Sequence, residues 1–256
     1  MIYKRLDEFI TELNEQRALL CLYGEDDIVI VVCGSEGSGK TTFSIALSSV
    51  DPLFYEQNQI YYTWLDYIMV QLDALNKMDG KTGMTNIQPG SVLLYDEAGT
   101  QLAARAAMSA GNIDQIKLFQ SNRFLRLIHI LNIPKLGSLD KYVREQRLRI
   151  FIWVDAAYDN KTGRKSRNAY VWGRSSMWKI FSKFDWEKLF NNVNMLLSKC
   201  EPDYMIHIPN LKEGDIVPKD FWNKYMDKKI AFNRQQMEDM IKKATNKPRR
   251  RRKKDE

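Results

Sequence analysis

The chain has 256 residues, 44% of them hydrophobic and 28% charged, with a formal net charge of +7. This is enough apolar chain for a sizeable core and reads as one main globular domain with an appendage, not as a disordered or fibrous protein. No apolar run approaches the roughly 18 residues of a membrane span, and the scattered Cys21, Cys33 and Cys200, with no paired spacing, exclude a disulfide framework and point to a reducing compartment.

The first stretch, MIYKRLDEFITEL, carries early acids and no apolar leader, so a cytoplasmic location is expected. Residues 3–21 are predicted as a helix, with Leu6, Ile10 and Leu13 on one face. Residues 28–33, IVIVVC, are a continuous apolar run of strand length. The segment GSEGSGKT follows and fits G-x-x-x-x-G-K-[ST], with Gly34, Gly39, Lys40 and Thr41 in register. Phe43, Ile45, Ala46 and Leu47 then take the spacing of a helix face. A strand, a glycine-rich turn and a helix start form the context in which this motif cradles phosphates. Gly34, Gly37 and Gly39 let the backbone turn with positive φ and come close to the anion. The candidate binding segment is Gly34, Ser35, Glu36, Gly37, Ser38, Gly39, Lys40, Thr41 and Thr42, whose N–H groups and helix start would face the phosphates. Lys40 would reach the β- and γ-phosphates, and the Thr41 hydroxyl would hold Mg²⁺.

A second strand is predicted at 59–62, followed by an amphipathic helix at 64–77 with Leu65, Ile68, Met69, Leu72 and Leu75 at helical spacing. A polar loop rich in turn residues leads to a third strand, 92–95, which ends in Asp96-Glu97. An apolar strand ending in two acids downstream of such a loop is the Walker B pattern. Asp96 would bind Mg²⁺, and Glu97 would orient and polarise the attacking water. A kinase acting on a small molecule does not need that second carboxylate, whereas an ATPase does. Asp96–Gly99 also fits DxxG, and Asn76–Asp79 fits NKxD, but they stand in the reverse of the order in GTPases, so ATP is the expected nucleotide.

Helices are predicted at 101–108 and 112–124, and strands at 127–131 and 148–154. A hairpin turn at 160–163 is expected to return through 169–172. Strands alternating with helices predict an α/β fold with a mostly parallel sheet covered on both faces. From Met177 the pattern turns helical, and Trp178, Phe181, Phe184, Trp186, Leu189 and Phe190 read as core aromatics. The final KPRRRRKKDE contributes +5 of the net charge and leaves only +2 for the other 246 residues. Such a block should be disordered, and it is either a non-specific nucleic-acid contact through phosphates or a solubilising terminus. The expected organisation is an N-terminal helix at 1–24, a P-loop core at 25–175, a helical appendage at 176–246 and a basic tail at 247–256.

The succession GSEGSGKTT, GSVLLYDEAG, an arginine-bearing helix and RLIHILNIPKLGSLDKYVREQR resembles the FtsK–HerA class of P-loop ATPases. The branch it resembles includes zonula-occludens-toxin-like proteins and ATPases of archaeal and bacterial viruses and plasmids. The resemblance spans roughly residues 25–175. It implies an additional-strand sheet of order 5-1-4-3-2, a homo-oligomeric ring such as a hexamer, and movement of DNA with little sequence preference. It places Asn132 where the class has a polar sensor of the γ-phosphate, often Gln. It makes Arg105, Arg123 and Arg147 candidates for an arginine finger supplied across a subunit interface. The implied function is an ATP-driven motor for DNA packaging, transfer or processing in a virus or mobile element. A regulatory or scaffold ATPase acting on a protein partner is the reading from a different class.

Overall fold

The computed structural model describes residues 2–24, 26–78, 86–96, 122–158, 165–183, 192–208 and 217–245. In chain order the elements are β1 (Ile2–Lys4), α1 (Leu6–Tyr23), β2 (Ile28–Cys33), α2 (Lys40–Leu47), α3 (Phe54–Gln57), β3 (Ile60–Tyr61), α4 (Trp64–Met78) and β4 (Val92–Tyr95). Then come β5 (Ile128–Asn132), a π-helical turn (Val143–Arg147), β6 (Leu148–Tyr158), β7 (Lys165–Gly173), α5 (Arg174–Lys183), α6 (Val193–Lys199), β8 (Tyr204–Ile208) and α7 (Lys219–Thr245). The expected helix at 101–108, residues 112–121 of the expected helix at 112–124, and the hairpin turn at 160–163 lie outside the described residues.

One eight-stranded sheet runs β1-β8-β7-β6-β2-β5-β4-β3. Only β7 opposes the others, pairing antiparallel with both β6 and β8. The strands β6, β2, β5, β4 and β3 are mutually parallel. A sheet of this kind must be covered on both faces, and β2 shows how. Its Ile30 and Val32 join a core formed with α1, α2 and α7, through Phe9, Leu13, Phe43, Leu47, Phe221 and Tyr225. Its Val29, Val31 and Cys33 face the other way, into a core with Tyr67 and Ala74 of α4, Trp172 of β7 and Met177 and Ile180 of α5. That two-sided burial is why 28–33 reads as unbroken apolar sequence.

Two expectations need correction. Residues 176–246, expected to be helical, contain β8, which lies inside the sheet between β1 and β7. Its buried Ile206 and Ile208 flank an exposed His207, a period of two that the surrounding aromatic-rich helices obscure. Residues 2–4, expected to open the first helix, pair as β1 with β8 in the register Ile2 with Tyr204. A three-residue strand whose partner lies two hundred residues away leaves no local pattern to read. The long α7 also packs on the core, with Phe221 and Tyr225 buried. Among the described residues no helix is long and apolar enough to cross a membrane.

Candidate active site

β4, β5 and β2 are parallel neighbours, so Asp96, Asn132 and the loop after Cys33 emerge side by side at one edge of the sheet. This is the carboxyl edge, where open α/β sheets bind ligands. In the loop, Gly34, Gly37 and Gly39 have φ of 149°, 70° and 97°. A side chain at Gly34 would collide with the Val154 carbonyl oxygen of β6, and a Cβ at Gly39 would stand 2.9 Å from Arg167 Nε. Gly34 thus requires glycine for conformation and for space, and Gly39 for its positive φ. Gly39 caps α2, whose first residues are Lys40 and Thr41.

The Lys40 ammonium donates to the carbonyls of Gly34 at 2.7 Å and Ser35 at 2.8 Å, folding over the loop. Ser35, Glu36 and Gly37 are exposed, while Ser38 is buried and its Oγ has no hydrogen-bond partner. An orphaned hydroxyl inside a loop of positive-φ glycines, at the start of a helix, fits a phosphate chain.

Behind the loop a chain of hydrogen bonds joins three elements. Thr41 Oγ1 donates to Asp96 Oδ1 at 3.0 Å. Asn132 Nδ2 donates to the same oxygen at 2.9 Å, and its own Oδ1 accepts from Ser44 Oγ at 2.6 Å. These partners fix the orientation of the Asn132 amide. Asp96 is buried, and its second oxygen, Oδ2, accepts from Tyr225 OH at 3.1 Å and Lys229 Nζ at 2.9 Å. A hydroxyl and a carboxylate at this spacing, all hard oxygen donors, fit Mg²⁺. Cys33 sits beneath, and burial pushes its thiol far above the usual range, so it is no nucleophile.

Sequence reasoning placed Gly34 to Thr42, Asp96 and Asn132 at this edge, and the structure brings them together. It missed Ser44, Tyr225, Lys229 and Arg167. Ser44 lies three residues after Thr41 on one face of α2, a polar residue among buried apolar ones, and that was the available signal. Arg167, on β7, lies against Gly39, and its Nε is buried without a partner. Tyr225 and Lys229 lie 129 and 133 residues beyond Asp96, too far for any local pattern to find.

The arginines divide. Arg105 and the carboxylate Glu97 lie outside the described residues. Arg123 is half exposed and pairs with Asp26 at 3.5 Å. Arg147 is buried, bonded to Asp27 and 3.7 Å from Asp26. Asp26 and Asp27 immediately precede β2, so both arginines sit at the edge of the sheet opposite the loop. The expectation for Arg147 is therefore corrected: a buried, paired guanidinium is not available to a neighbouring subunit. Asp27 also faces His129 Nε2 at 3.4 Å, whose Nδ1 bonds the Tyr67 hydroxyl, so this end of β2 carries a buried polar network.

The chain is similar to the N-terminal domain of zonular occludens toxin from Neisseria meningitidis, at 18% identity over 58% of this chain and 84% of that one, with a TM-score of 0.36. It is similar to the genome packaging NTPase B204 from Sulfolobus turreted icosahedral virus 2, solved with AMPPCP, at 17% identity over 60% of this chain and 94% of that one, TM-score 0.34. For the flagellar accessory protein FlaH from Methanocaldococcus jannaschii the values are 15%, 57%, 78% and 0.34. No protein-family model matches the chain, and no curated protein matches it in sequence.

Proposed function

We propose that the chain is an ATP-hydrolysing motor acting on DNA, for packaging, transfer or processing in a virus or mobile genetic element, and that it works as a cytoplasmic homo-oligomeric ring. The observation that carries the hydrolase reading is Asp96, bonded to Thr41 and Asn132 beside the glycine loop. The parallel run β6-β2-β5-β4-β3 supports the additional-strand assignment, since counted along the chain these five strands stand in the order 5-1-4-3-2. The basic run 247–256 supports DNA as the partner through non-specific phosphate contacts.

In this reading the loop N–H groups and Lys40 bind the phosphate chain of ATP, and Lys40 exchanges its loop carbonyls for phosphate oxygens. Thr41 and Asp96 would hold Mg²⁺, which would supply positive charge against the phosphates. Asn132 orients Asp96 through its amide hydrogen bond, and the resemblance gives it the role of γ-phosphate sensor. Glu97 takes a proton from the water that attacks the γ-phosphorus, and ADP and phosphate leave. Arg105 or Arg123 of an adjacent subunit neutralises charge that develops in the transition state.

A second reading, a regulatory or scaffold ATPase with a protein partner, is favoured by α7, where Ile230, Met237, Met240 and Ile241 are all exposed. ATP hydrolysis measured with and without duplex DNA separates the two. Stimulation by DNA is expected, together with loss of nucleotide binding in Lys40→Ala. Hydrolysis indifferent to DNA refutes the motor, and unchanged ATP affinity in Lys40→Ala refutes the nucleotide site itself.

A further inference from the structure

Asp96 accepts four hydrogen bonds, the full capacity of a carboxylate. Two come to Oδ1 from the loop side, Thr41 and Asn132, and two come to Oδ2 from α7. The second pair is delivered by a fixed element. Phe221 and Tyr225 of α7 are part of the core. The Tyr225 ring packs on Trp222 and Tyr62, and Phe232 stacks on Tyr62 with centroids 5.2 Å apart. Lys228 donates to the Ile60 carbonyl at 2.9 Å, and burial lowers its pKa. The helix is therefore anchored on both sides of Lys229, whose side chain is only 22% exposed where it meets Asp96.

A buried carboxylate needs a counter-charge, and one that is paired and hydrogen-bonded is far less costly than one left alone. An ammonium on Oδ2 and Mg²⁺ on the Thr41 side, at Oδ1, compete for the charge of one carboxylate and repel each other across it. We propose that Lys229 is the resident counter-cation of the metal site: it holds the outer oxygen of Asp96, and Mg²⁺ entering with the nucleotide displaces it. The inference rests on the nucleotide-site reading above. It makes Lys229 a positioning residue that sets how much Mg²⁺ the site needs. The displacement asks only for a swing of a flexible four-carbon stem, since Tyr225 keeps the helix in place and retains its own bond to Oδ2.

The test is ATP binding by calorimetry across a Mg²⁺ titration, for wild type, Lys229→Met and Lys229→Arg. Lys229→Met should lower the half-saturating Mg²⁺ concentration about tenfold or more, the worth of one charged hydrogen bond. Lys229→Arg keeps the charge and should retain the wild-type requirement. An unchanged or raised requirement in Lys229→Met overturns the proposal, as does an arginine variant that behaves like the methionine. A second measurement needs no variant: amine labelling of Lys229 in the wild type, read by mass spectrometry, should speed up when Mg²⁺ and a non-hydrolysable ATP analogue are added together. Labelling that stays constant or slows refutes the displacement. If the wild type binds no ATP at any Mg²⁺ concentration, the nucleotide reading fails and takes this inference with it. If the wild type binds and only the Lys229 variants fail to shift, Lys229 alone is misassigned.

Discussion

Replacing Arg147 by Met separates a structural arginine from a catalytic one. The guanidinium is 6% exposed and bonds Asp27, whose side chain is 2% exposed. Removing one partner of a buried ion pair leaves an uncompensated charge, which costs about 3–5 kcal/mol. Asp27 keeps His129 Nε2 at 3.4 Å, so the lower end of that range applies. The second partner, Asp26, is partly exposed and retains Arg149 at 3.0 Å and Arg123 at 3.5 Å, so its loss adds little. For a chain of this size each kcal/mol shifts the melting temperature by roughly 2–4 °C, which gives a fall of roughly 6–12 °C. Thermal and urea unfolding measure it. Arg147→Met combined with Asp27→Asn should recover part of the loss, because the stranded charge is gone. Hydrolysis per folded molecule should be unchanged, and mixing with Glu97→Gln subunits should rescue nothing. A variant that melts like the wild type but loses hydrolysis, and regains it in mixed assemblies, would show that Arg147 is a finger and that the buried pairing is wrong.

Four further outcomes are expected. Glu97→Gln should bind ATP with near-native affinity and hydrolyse it on the order of 10²-fold more slowly, as for a positioned general base; single-turnover hydrolysis at the native rate would reduce Glu97 to a helix-start acid. Arg167→Ala should weaken ATP affinity about tenfold, since its buried, unpartnered Nε lies against Gly39 where a phosphate would sit; calorimetry showing no change assigns Arg167 to packing alone. Asp27 is held below its ordinary pKa of 3.8, because burial, which raises it, is outweighed by the His129 hydrogen bond and the His129 and Arg147 charges. Its contribution to stability is therefore complete above that value and lost as the pH falls through the lower folded value, so the stability gap between wild type and Asp27→Asn should close in acid, and a gap constant with pH excludes the depression. Deleting residues 247–256 should make the slope of log DNA affinity against log salt shallower by roughly three to five, at about 0.9 per phosphate contact, without altering hydrolysis in the absence of DNA; an unchanged slope leaves the tail as a solubilising terminus.

The parts of the site that were legible are those written within one turn of chain. The strand 28–33, the glycines and Lys40-Thr41 form one continuous segment, and their chemistry follows from residue type and spacing alone. Asp96 is nearly as local, since an apolar strand ending in acids is readable by itself. Asn132 stands differently: nothing about 128–132 singles it out, and only the resemblance pointed there. The structure gives it a physical role through Ser44 and Asp96. Arg147 was misread for the opposite reason. Arginines are surface residues by default, and only the pairing of 148–152 with 29–32 reveals that this one is carried into the interior, beside an aspartate that opens another strand.

The same limit explains why α7 was read as part of a separate appendage. Its Phe221, Tyr225 and Lys229 recur at i, i+4 and i+8, which marks one helix face but not what that face meets. Two of the three are ordinary core or rim aromatics, and the third is a lysine, which by composition belongs to solvent. What converts them into part of the site is the β3–β4 edge of the sheet. There Tyr62 offers a ring to Tyr225 and Phe232, Ile60 offers a carbonyl to Lys228, and Asp96 stands at the end of the neighbouring strand. The aromatic contacts set the height and rotation of the helix, and that placement brings an ammonium to a buried carboxylate instead of to water. If the placement is right, a substitution that alters only packing, Phe232→Ala, should change the Mg²⁺ requirement in the same direction as Lys229→Met. It would loosen the stack on Tyr62 and let Lys229 leave Asp96 more readily, and it touches neither charge. A Phe232→Ala protein that is destabilised yet keeps the wild-type Mg²⁺ requirement would show that the ion pair holds itself, and that the helix contributes cover but not position.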